Sequence, residues 1–456
     1  MQISINFFNT HKIKNLLILI QNSSFVLLPF FIFTGPFFSD LAITLIAIIF
    51  LCLSFKKKII FQYKIFILTF LIYWFFLLIS SLYSEYILYT FVDTFLYIRF
   101  LFFVLGCVEI IKRDLKLLKY FCFVLSSTFI LALFDGYYQY FLSEGITGFK
   151  YNNSRLSNFI TGELILGSYL SRLFPLVIML NIFFYKNNIK LIYLLSIIIV
   201  LVDVLIYLSG ERAAFFYLLI SIILIILMIN KFALLRLATF LVSLVLIFFI
   251  SINNTTIKDR MIDQTFNDLK LSSNINLDKL ENNNVENDNP ISLDNKDEKQ
   301  NFFEFPFFDR YNAFTHAHNQ LYLSSINIFL NNNLFFGIGV ENFRHECKKD
   351  IYITQFGDLS CSTHPHNTYI QLLTETGIFG FFIVLLVFLY SSLIILKQIY
   401  INLFSKGKNL NDIQIGAFIS LFISLWPLIP TGNFFNNWLS IIYFLPFIFI
   451  IEKYEN

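Results

Sequence analysis

Apolar runs of roughly 18 residues or more recur along most of this chain and constrain its fold more than any other feature. A helix of that length crosses the hydrocarbon core of a bilayer, which is about 30 Å thick. Of the 456 residues, 57% are hydrophobic and 14% are charged, whereas soluble domains average about 45–50% apolar and about 25% charged residues. The sequence therefore predicts an all-α polytopic integral membrane protein.

The runs predict about twelve transmembrane helices and one large, mainly helical loop. Residues 1–252 hold the first nine spans, residues 253–367 form the loop, and residues 368–456 hold the last three spans. The predicted spans lie near residues 13–34, 37–55, 65–82, 93–111, 117–141, 162–185, 190–208, 213–229, 237–252, 368–396, 413–429 and 438–452.

Lysine and arginine are concentrated in every second loop. This pattern predicts the orientation of the chain in the membrane, because cytoplasmic loops carry an excess of both residues. Every second loop is cationic, including one with Lys231 and Arg236. The short loops on the other side are nearly bare, with Lys150, Arg155 and Arg212 as exceptions. Both termini are therefore predicted to be cytoplasmic, and the large loop periplasmic, in a bacterial inner membrane. The net charge of +3 follows from this arrangement and does not indicate a nucleic-acid partner.

The large loop divides into two parts by composition. Residues 271–300 are rich in Asn and charged residues, with almost no aromatic residues. Such a segment cannot bury enough apolar surface to offset its ordering entropy, so we expect a disordered insert. From Phe302 onward, aromatic and aliphatic residues recur at helical spacing, and this part is predicted to be folded.

Four of the six histidines occur in two similar phrases, THAHN from Thr315 and THPHN from Thr363. Pro365 and Asn367 precede an apolar helix, which predicts that His366 lies at the mouth of a span. There it would either help to cap the helix, or act as a base or hydrogen-bond donor toward a membrane-embedded substrate. Spacing alone leaves both alternatives open.

A metal site is a further alternative for these phrases. Two His-x-His pairs could supply four imidazoles to Zn²⁺, which favours four nitrogen or sulfur ligands. However, no acidic residue or cysteine pair lies at ligand spacing beside them, and each pair is followed by Asn and a helical pattern. We therefore expect no metal.

SGERAAF, residues 209–215, predicts a tight periplasmic turn between two spans. Arg212 in this turn lies on the side where cations do not serve topology. A guanidinium stays charged and matches phosphate or diphosphate oxygens with two parallel hydrogen bonds. Arg212 is therefore a candidate phosphate ligand. The alternatives are an ion pair with Glu211 and a side chain that extends its charge into water.

Three more arginines are predicted on the periplasmic side. Arg260 follows the ninth span, and Arg310 and Arg344 lie in the folded part of the large loop. Each alone is more typical of a solvated charge. Together with Arg212 and His366 they predict a cationic site facing the leaflet where lipid-linked diphosphates are presented.

Two further features are weaker indicators. GIGVENF, Gly337 to Phe343, lacks the GKS and GxGxxG patterns of nucleotide-binding loops, and predicts a turn followed by a short helix. Arg99, Arg172 and Asp203 lie in or at the ends of spans, where charges are costly and commonly functional. The sequence assigns these three charges no role.

Two of the five cysteines, Cys347 and Cys361, lie in the large loop. The periplasm is oxidising, which favours a disulfide between them. That bond would close a short loop directly before His364 and His366 and restrict their backbone.

Three motifs resemble those of the O-antigen ligase / O-antigen polymerase family of bacterial envelope glycosyltransferases. They are SGERAA at 209–214, NNLFFGIGVENFR at 332–344 and HPHNTYIQLLTETGIFGF at 364–381. The last is the most specific, because family members resemble HPHN-x-Y-x-Q-x-x-x-E-x-G-x-x-G here. The resemblance covers residues 200–381 well, and the other spans in topology only.

The resemblance implies that an acceptor sugar hydroxyl attacks the anomeric carbon of a glycan carried on undecaprenyl diphosphate. No cofactor, nucleotide sugar or metal would be required. Arg212 matches the family's arginine in the outer turn and would bind the diphosphate, whereas His366 would activate or orient the acceptor hydroxyl. Arg260 matches an arginine that often opens the loop. Additional substrate contacts are expected from His364, Asn367 and Arg344.

One departure concerns an arginine that members often carry upstream of the GxG turn. In this chain that place falls at Asn319, inside THAHN. Either His318 replaces the arginine or Arg310 has taken its place, and we prefer His318. The two phrases would then differ in role, with His366 as the base and His318 as a substitute phosphate contact.

The resemblance leaves several activities open. The preferred one is a ligase that transfers a finished polysaccharide to lipid A–core in lipopolysaccharide biosynthesis. A polymerase would instead use a second lipid-linked repeat unit as acceptor, and a protein-glycosylating relative is a third option. A transporter is the non-enzyme alternative, but the spans show no internal duplication of the kind that transporters tend to have.

Overall fold

The computed structural model of the protein describes residues 11–53, 57–151, 155–158, 160–267, 316–405 and 409–454. These residues form helices and connecting loops, with one isolated β-bridge between Glu144 and Lys150. The helices are α1 His11–Thr34, α2 Pro36–Leu53, α3 Lys57–Gln62, α4 Lys64–Leu82, α5 Ile87–Leu96, α6 Arg99–Arg113, α7 Leu115–Leu142, α8 Leu166–Tyr185, α9 Ile189–Leu208, α10 Arg212–Met228, α11 Ala233–Asn253, α12 Thr255–Lys258, α13 His316–Leu330, α14 Phe343–Glu346, α15 Asp350–Phe356, α16 Thr368–Tyr400, α17 Asp412–Ser424, α18 Asn437–Phe444 and α19 Phe447–Ile450.

The long helices confirm a multi-pass membrane protein. In the part of the chain that the structure describes, nine helical segments are long and apolar enough to cross a membrane. Three shorter apolar helices coincide with other predicted spans, namely Arg212–Met228, Asp412–Ser424 and Asn437–Ile450. The count of twelve spans and the side of the membrane that each end faces stay predictions. The expected insert at 271–300 and the candidate Arg310 lie outside the described residues.

Helix α8 is at the centre of the bundle. It packs against α7, α9, α10 and α17, and most of its side chains are buried. The outer helices, by contrast, expose large apolar side chains such as Phe75, Phe123 and Phe248. This pattern is expected when lipid, and not water, surrounds the bundle.

Asp203 of α9 forms a buried ion pair with Arg236 of α11. Both guanidinium Nη atoms lie 2.9 Å from a carboxylate oxygen of Asp203, and the Ser243 hydroxyl donates a third hydrogen bond at 2.9 Å. The prediction that Arg236 belongs to a connecting loop is wrong, because it lies within α11 and is 5% exposed. Removing one partner of such a pair typically costs about 3–5 kcal/mol, since the other charge is left buried.

The other intramembrane arginines also contact identifiable groups. Arg99 pairs with Asp40 at 2.8 Å and donates to the Asn437 carboxamide at 2.7 Å. Arg172 is 2% exposed, and its guanidinium lies 4.8 Å from the ring centre of Tyr217. Cation–π contact stabilises a desolvated arginine without a carboxylate partner. These contacts give each charge a packing role.

A backbone contact between two glycine-containing turns fixes the start of α16. Gly377 interrupts α16 with a φ of 66°, which glycine adopts without steric cost. The carbonyl groups freed on its N-terminal side accept hydrogen bonds from Ile338 and Gly339 at 3.1 and 2.9 Å. A Cβ at Gly337 would lie 2.6 Å from the backbone of Glu375. The turn predicted for GIGVENF therefore docks on α16, and helix α14 follows it as expected.

Residues 316–361 form a small second core beside the bundle. Its buried members come from α13, from the docked turn and from α14 and α15, and Tyr322, Phe343 and Tyr352 are the largest. Helix α13 packs against α16. The second core therefore lies against the end of the bundle at which α16 begins.

Candidate active site

His366 lies in a turn directly before the cap of α16 and has a left-handed backbone, with a φ of 56°. Such a conformation in a residue other than glycine costs about 1–3 kcal/mol and persists only when the surroundings hold it. On one side, the Asn367 carboxamide oxygen accepts from the amides of Tyr369 and Ile370 at 3.0 and 3.1 Å. On the other, the Thr431 amide donates to the His366 carbonyl at 2.8 Å.

The imidazole of His366 is half-buried and lies within reach of one hydroxyl. Its Nε2 is 3.3 Å from the Ser362 hydroxyl oxygen. Burial lowers the pKa of His366 below its ordinary value of 6.5, although a hydrogen bond with the Thr431 backbone opposes the shift. The ring is therefore neutral at neutral pH, which is the state that a general base requires.

His364 lies against His366, with 4.0 Å between ring centres. Its Nε2 is 3.3 Å from the Thr431 carbonyl, which can only accept, so this nitrogen carries the proton. Its Nδ1 then accepts from the Thr363 hydroxyl at 2.9 Å. Burial, followed by the neighbouring His366, lowers the pKa of His364 to about 3. Because both ring nitrogens are engaged, His364 holds the turn in place.

A disulfide between Cys347 and Cys361 ties this turn to α14, with 5.1 Å between the two Cα atoms. Cys361 directly precedes Ser362, the residue that contacts the His366 ring. The bond therefore restricts the backbone in front of both histidines, as the sequence predicts for this pair.

The two histidine phrases meet in space. His318, on α13, has its ring centre 6.0 Å from that of His366 and 6.0 Å from that of Tyr322. Asn319 beside it is buried. The structure therefore brings His318, His364 and His366 together, and we name these three residues the histidine cluster.

A separate group of arginines lies where α10 begins. Arg212 is the first residue of α10, and Arg260 donates from its Nε to the Gly210 carbonyl at 2.8 Å. Burial, and next the like charges of Arg155 and Arg212, lower the pKa of Arg260. Three guanidinium groups therefore lie close together, and we name Arg155, Arg212 and Arg260 the arginine cluster. Such a concentration of positive charge suits a phosphate or diphosphate.

Glu211 is engaged elsewhere and caps α8. Its two carboxylate oxygens accept from the backbone amides of Gly167 and Ser168 at 2.7 and 3.1 Å, and from the Ser168 hydroxyl at 2.7 Å. A carboxylate at a helix N-terminus satisfies amides that have no partner within the helix. The motif SGER thus joins two functions, since Glu211 fixes the turn and Arg212 begins the next helix.

Each helix that carries a cluster also carries a buried tyrosine. Tyr217 is on α10, one turn beyond Arg212, and Tyr322 is on α13, one turn beyond His318. Burial, and then the neighbouring Tyr217, raise the pKa of Tyr322. The effect of Tyr217 on Tyr322 indicates that the two side chains lie in the same part of the buried interior.

Arg344 lies near the histidine cluster from a third direction. It contributes to the lowered pKa of His364, and its guanidinium pairs with Glu341 at 3.0 Å. The substrate roles expected for Arg344, His364 and Asn367 stay predictions. The carboxamide nitrogen of Asn367 is also engaged, with the Pro427 carbonyl at 2.9 Å.

The loop before α18 supports the site through Thr431 and Asn433, which were not among the predicted site residues. Thr431 bonds to both histidines through its backbone, and Asn433 contacts Gln371 of α16 at 2.6 Å. This loop carries no lysine or arginine, so a search guided by charge passes over it. Arg155 could have been recognised from the sequence, because it is a cation in a loop on the side where the short loops otherwise carry almost none.

The motifs of the site lie within one stretch that matches a known family. A model of the O-antigen ligase family matches residues 194–385, a range that contains Arg212, Arg260 and the histidine cluster. No curated protein matches the chain. The resemblance predicted from the three motifs is thus confirmed over residues 194–385, where the chain is similar to the O-antigen ligase family.

Proposed function

We propose that this protein is a ligase that transfers a glycan from undecaprenyl diphosphate to a lipid A–core acceptor at the periplasmic face of the inner membrane. The observation that carries the proposal is the His366 turn. It combines a neutral imidazole with a left-handed backbone that several hydrogen bonds maintain. Backbone strain of this kind concentrates at functional sites.

The proposed reaction is a single inverting displacement. The acceptor hydroxyl oxygen forms a bond to the anomeric carbon while His366 takes the hydroxyl proton. The bond between that carbon and the diphosphate oxygen breaks, and the lipid diphosphate leaves with additional negative charge. Arg212 and Arg260 stabilise that charge, as fixed cations in a water-poor site do. Burial, and next the like charges of Arg155 and Arg212, lower the pKa of Arg260, and an anion bound between these cations would relieve their mutual repulsion.

The test begins with a deletion strain, whose lipopolysaccharide is resolved on a gel. Loss of a ligase leaves lipid-linked polymer and bare core, whereas loss of a polymerase leaves core that bears a single repeat. A plasmid copy of the gene should restore the wild-type profile.

In that complemented strain, Arg212→Ala should abolish surface polysaccharide while the protein stays in the membrane. Arg113→Ala is the matched control, because Arg113 ends α6 and contacts Gln21 at 3.4 Å, away from the arginine cluster. Full surface polysaccharide with Arg212→Ala would refute the proposed role. A normal gel profile in the deletion strain would refute the function itself.

A further inference from the structure

A cavity of about 300 Å³ with a mixed polar and apolar lining lies beside the short helix α5. Asp93, Arg99, Glu341 and Asn437 line it together with the aromatic residues Tyr89 and Phe435. Two crevices between the spans are smaller, at about 70 and 90 Å³, and their linings are almost entirely apolar. The cavity is at the lower end of the size range of small-molecule sites, which is roughly 300–1,000 Å³.

Helix α5 lines this cavity with one side and exposes another side. Leu88, Val92 and Phe95 follow one another at helical spacing and are 84%, 53% and 50% exposed. Thr90 and Thr94, on the opposite face, are buried. The cavity residues Tyr89 and Asp93 lie between these two faces. Helix α5 belongs to Ile87–Arg113, one of the candidate membrane-spanning segments, so its exposed apolar face suits contact with lipid.

Most charged groups in the cavity wall already have partners. Arg99 is held by Asp40 and Asn437, and Glu341 accepts from Arg344 at 3.0 Å and from the Asn433 carboxamide at 3.2 Å. Asp93 differs, because none of the described residues forms a hydrogen bond or ion pair with its carboxylate. Its two oxygens are therefore available to accept hydrogen bonds from a ligand.

These groups define the chemistry of the occupant. The carboxylates disfavour an anion, and the charged and polar groups that share the wall with apolar residues disfavour a purely aliphatic chain. Among the described residues, no three His, Cys, Asp or Glu side chains converge as ligands for one metal ion. A sugar ring has adjacent hydroxyl groups that donate to carboxylates, and less polar faces that pack on aromatic rings. We propose that this cavity binds a saccharide unit of a lipid-linked glycan, with the free Asp93 carboxylate accepting its hydroxyl groups.

The cavity and the histidine cluster share one structural element. Asn433 reaches Glu341 in the cavity wall, and Thr431, two residues earlier, bonds to His364 and His366. A glycan bound in the cavity would therefore lie on the other side of the segment that holds His366. The proposal rests on the proposed glycosyl transfer for the identity of the glycan, which belongs either to the donor or to the acceptor.

The binding experiment uses the full-length protein in nanodiscs and saturation-transfer difference NMR. The probes are core oligosaccharide released from lipopolysaccharide and the glycan released from its lipid carrier. We expect at least one probe to bind the wild-type protein and the His366→Gln variant equally. Asp93→Asn should weaken that binding at least about ten-fold, as expected when about 1.4 kcal/mol of charged hydrogen bonding is lost. The probe whose binding is weakened by Asp93→Asn shows whether the saccharide in the cavity belongs to the donor or to the acceptor.

Glu85→Gln is the matched carboxylate control, because Glu85 is an exposed residue that pairs with Lys349 outside the cavity. Wild-type affinity with Asp93→Asn, or no binding of either probe to the wild-type protein, would overturn the proposal. A transfer assay on the same samples keeps the two proposals apart. Binding that depends on Asp93 without any transfer supports the cavity and refutes the function. Transfer with unchanged KM values in Asp93→Asn supports the proposed function and refutes the role of the cavity.

Discussion

The phrases THAHN and THPHN have four of five letters in common, yet their backbones differ. His318 lies in the regular helix α13, whereas His366 has a left-handed φ of 56° before α16 begins. The two phrases differ at their third residue, which is Ala317 in the first and Pro365 in the second. Alanine continues a helix, while proline lacks the amide that a helix interior requires and keeps the residue before it extended. Two identical side chains can therefore take different roles because their backbones present them differently.

The largest effect should come from replacing the histidine in the strained turn. We expect His366→Gln to slow glycan transfer by about 10²–10⁴-fold, the usual contribution of a positioned general base. Glutamine keeps hydrogen-bonding capacity but cannot take a proton at neutral pH. Transfer by the purified variant would be measured against wild type, with His345→Gln as control because His345 packs on Tyr86 outside the cluster. Activity at the wild-type level would remove His366 from the reaction.

An intermediate effect should come from Pro365→Ala, which changes THPHN to THAHN. In Pro365→Ala the restriction on the chain before His366 is relieved, so the turn is held less firmly. We expect transfer to fall by roughly 10–100-fold, because small misplacements of a reacting group are costly. Single-turnover rates and membrane abundance would be measured together. An unchanged rate at normal abundance would show that proline does not separate the two phrases.

The smallest effect should come from His318→Arg, which should retain most of the transfer activity if His318 replaces a phosphate-binding arginine. A cation 6.0 Å from the His366 ring would further disfavour the protonated imidazole. The wild-type rate should fall only as the pH drops below 6.5, because the pKa of His366 is already lowered. In the variant this fall should begin at lower pH still. A pH–rate profile checks both statements, and an inactive protein at normal abundance would overturn the assigned role.

The sequence predicted the helices well because hydrophobicity is a local property. Each predicted span overlaps a helix of the structure. Arg236 was misplaced for the same reason, since a rule that counts charges by position cannot find a partner as distant in the chain as Asp203. His318, His364, His366, Arg212 and Arg260 were predicted as site residues, whereas the part of Arg155 and the contacts among these side chains were not.

The parts of the site that could not be predicted act through backbone atoms and long-range packing. Thr431 is an uncharged loop residue, and its amide and carbonyl hold both histidines. Asp93 has no motif around it, and its relevance comes from the cavity that α5 forms with a distant turn. The left-handed φ of His366 likewise depends on a distant loop, because the Thr431 amide donates to the His366 carbonyl. The same residue bonds to His364, from which it is separated by 67 positions in the chain.

The buried pair of Asp203 and Arg236 has a consequence for how the chain enters the membrane during synthesis. Asp203 lies in the last two turns of α9, which emerges from the ribosome before α11 does, and the cost of an aspartate in an inserting helix reaches about 2.5–3.5 kcal/mol at the helix centre. The remaining apolar residues of α9 must offset that cost until α11 arrives. Membrane integration of α9 and α11 is thus coupled, so a nascent chain that stops before Arg236 would carry an unneutralised carboxylate in lipid.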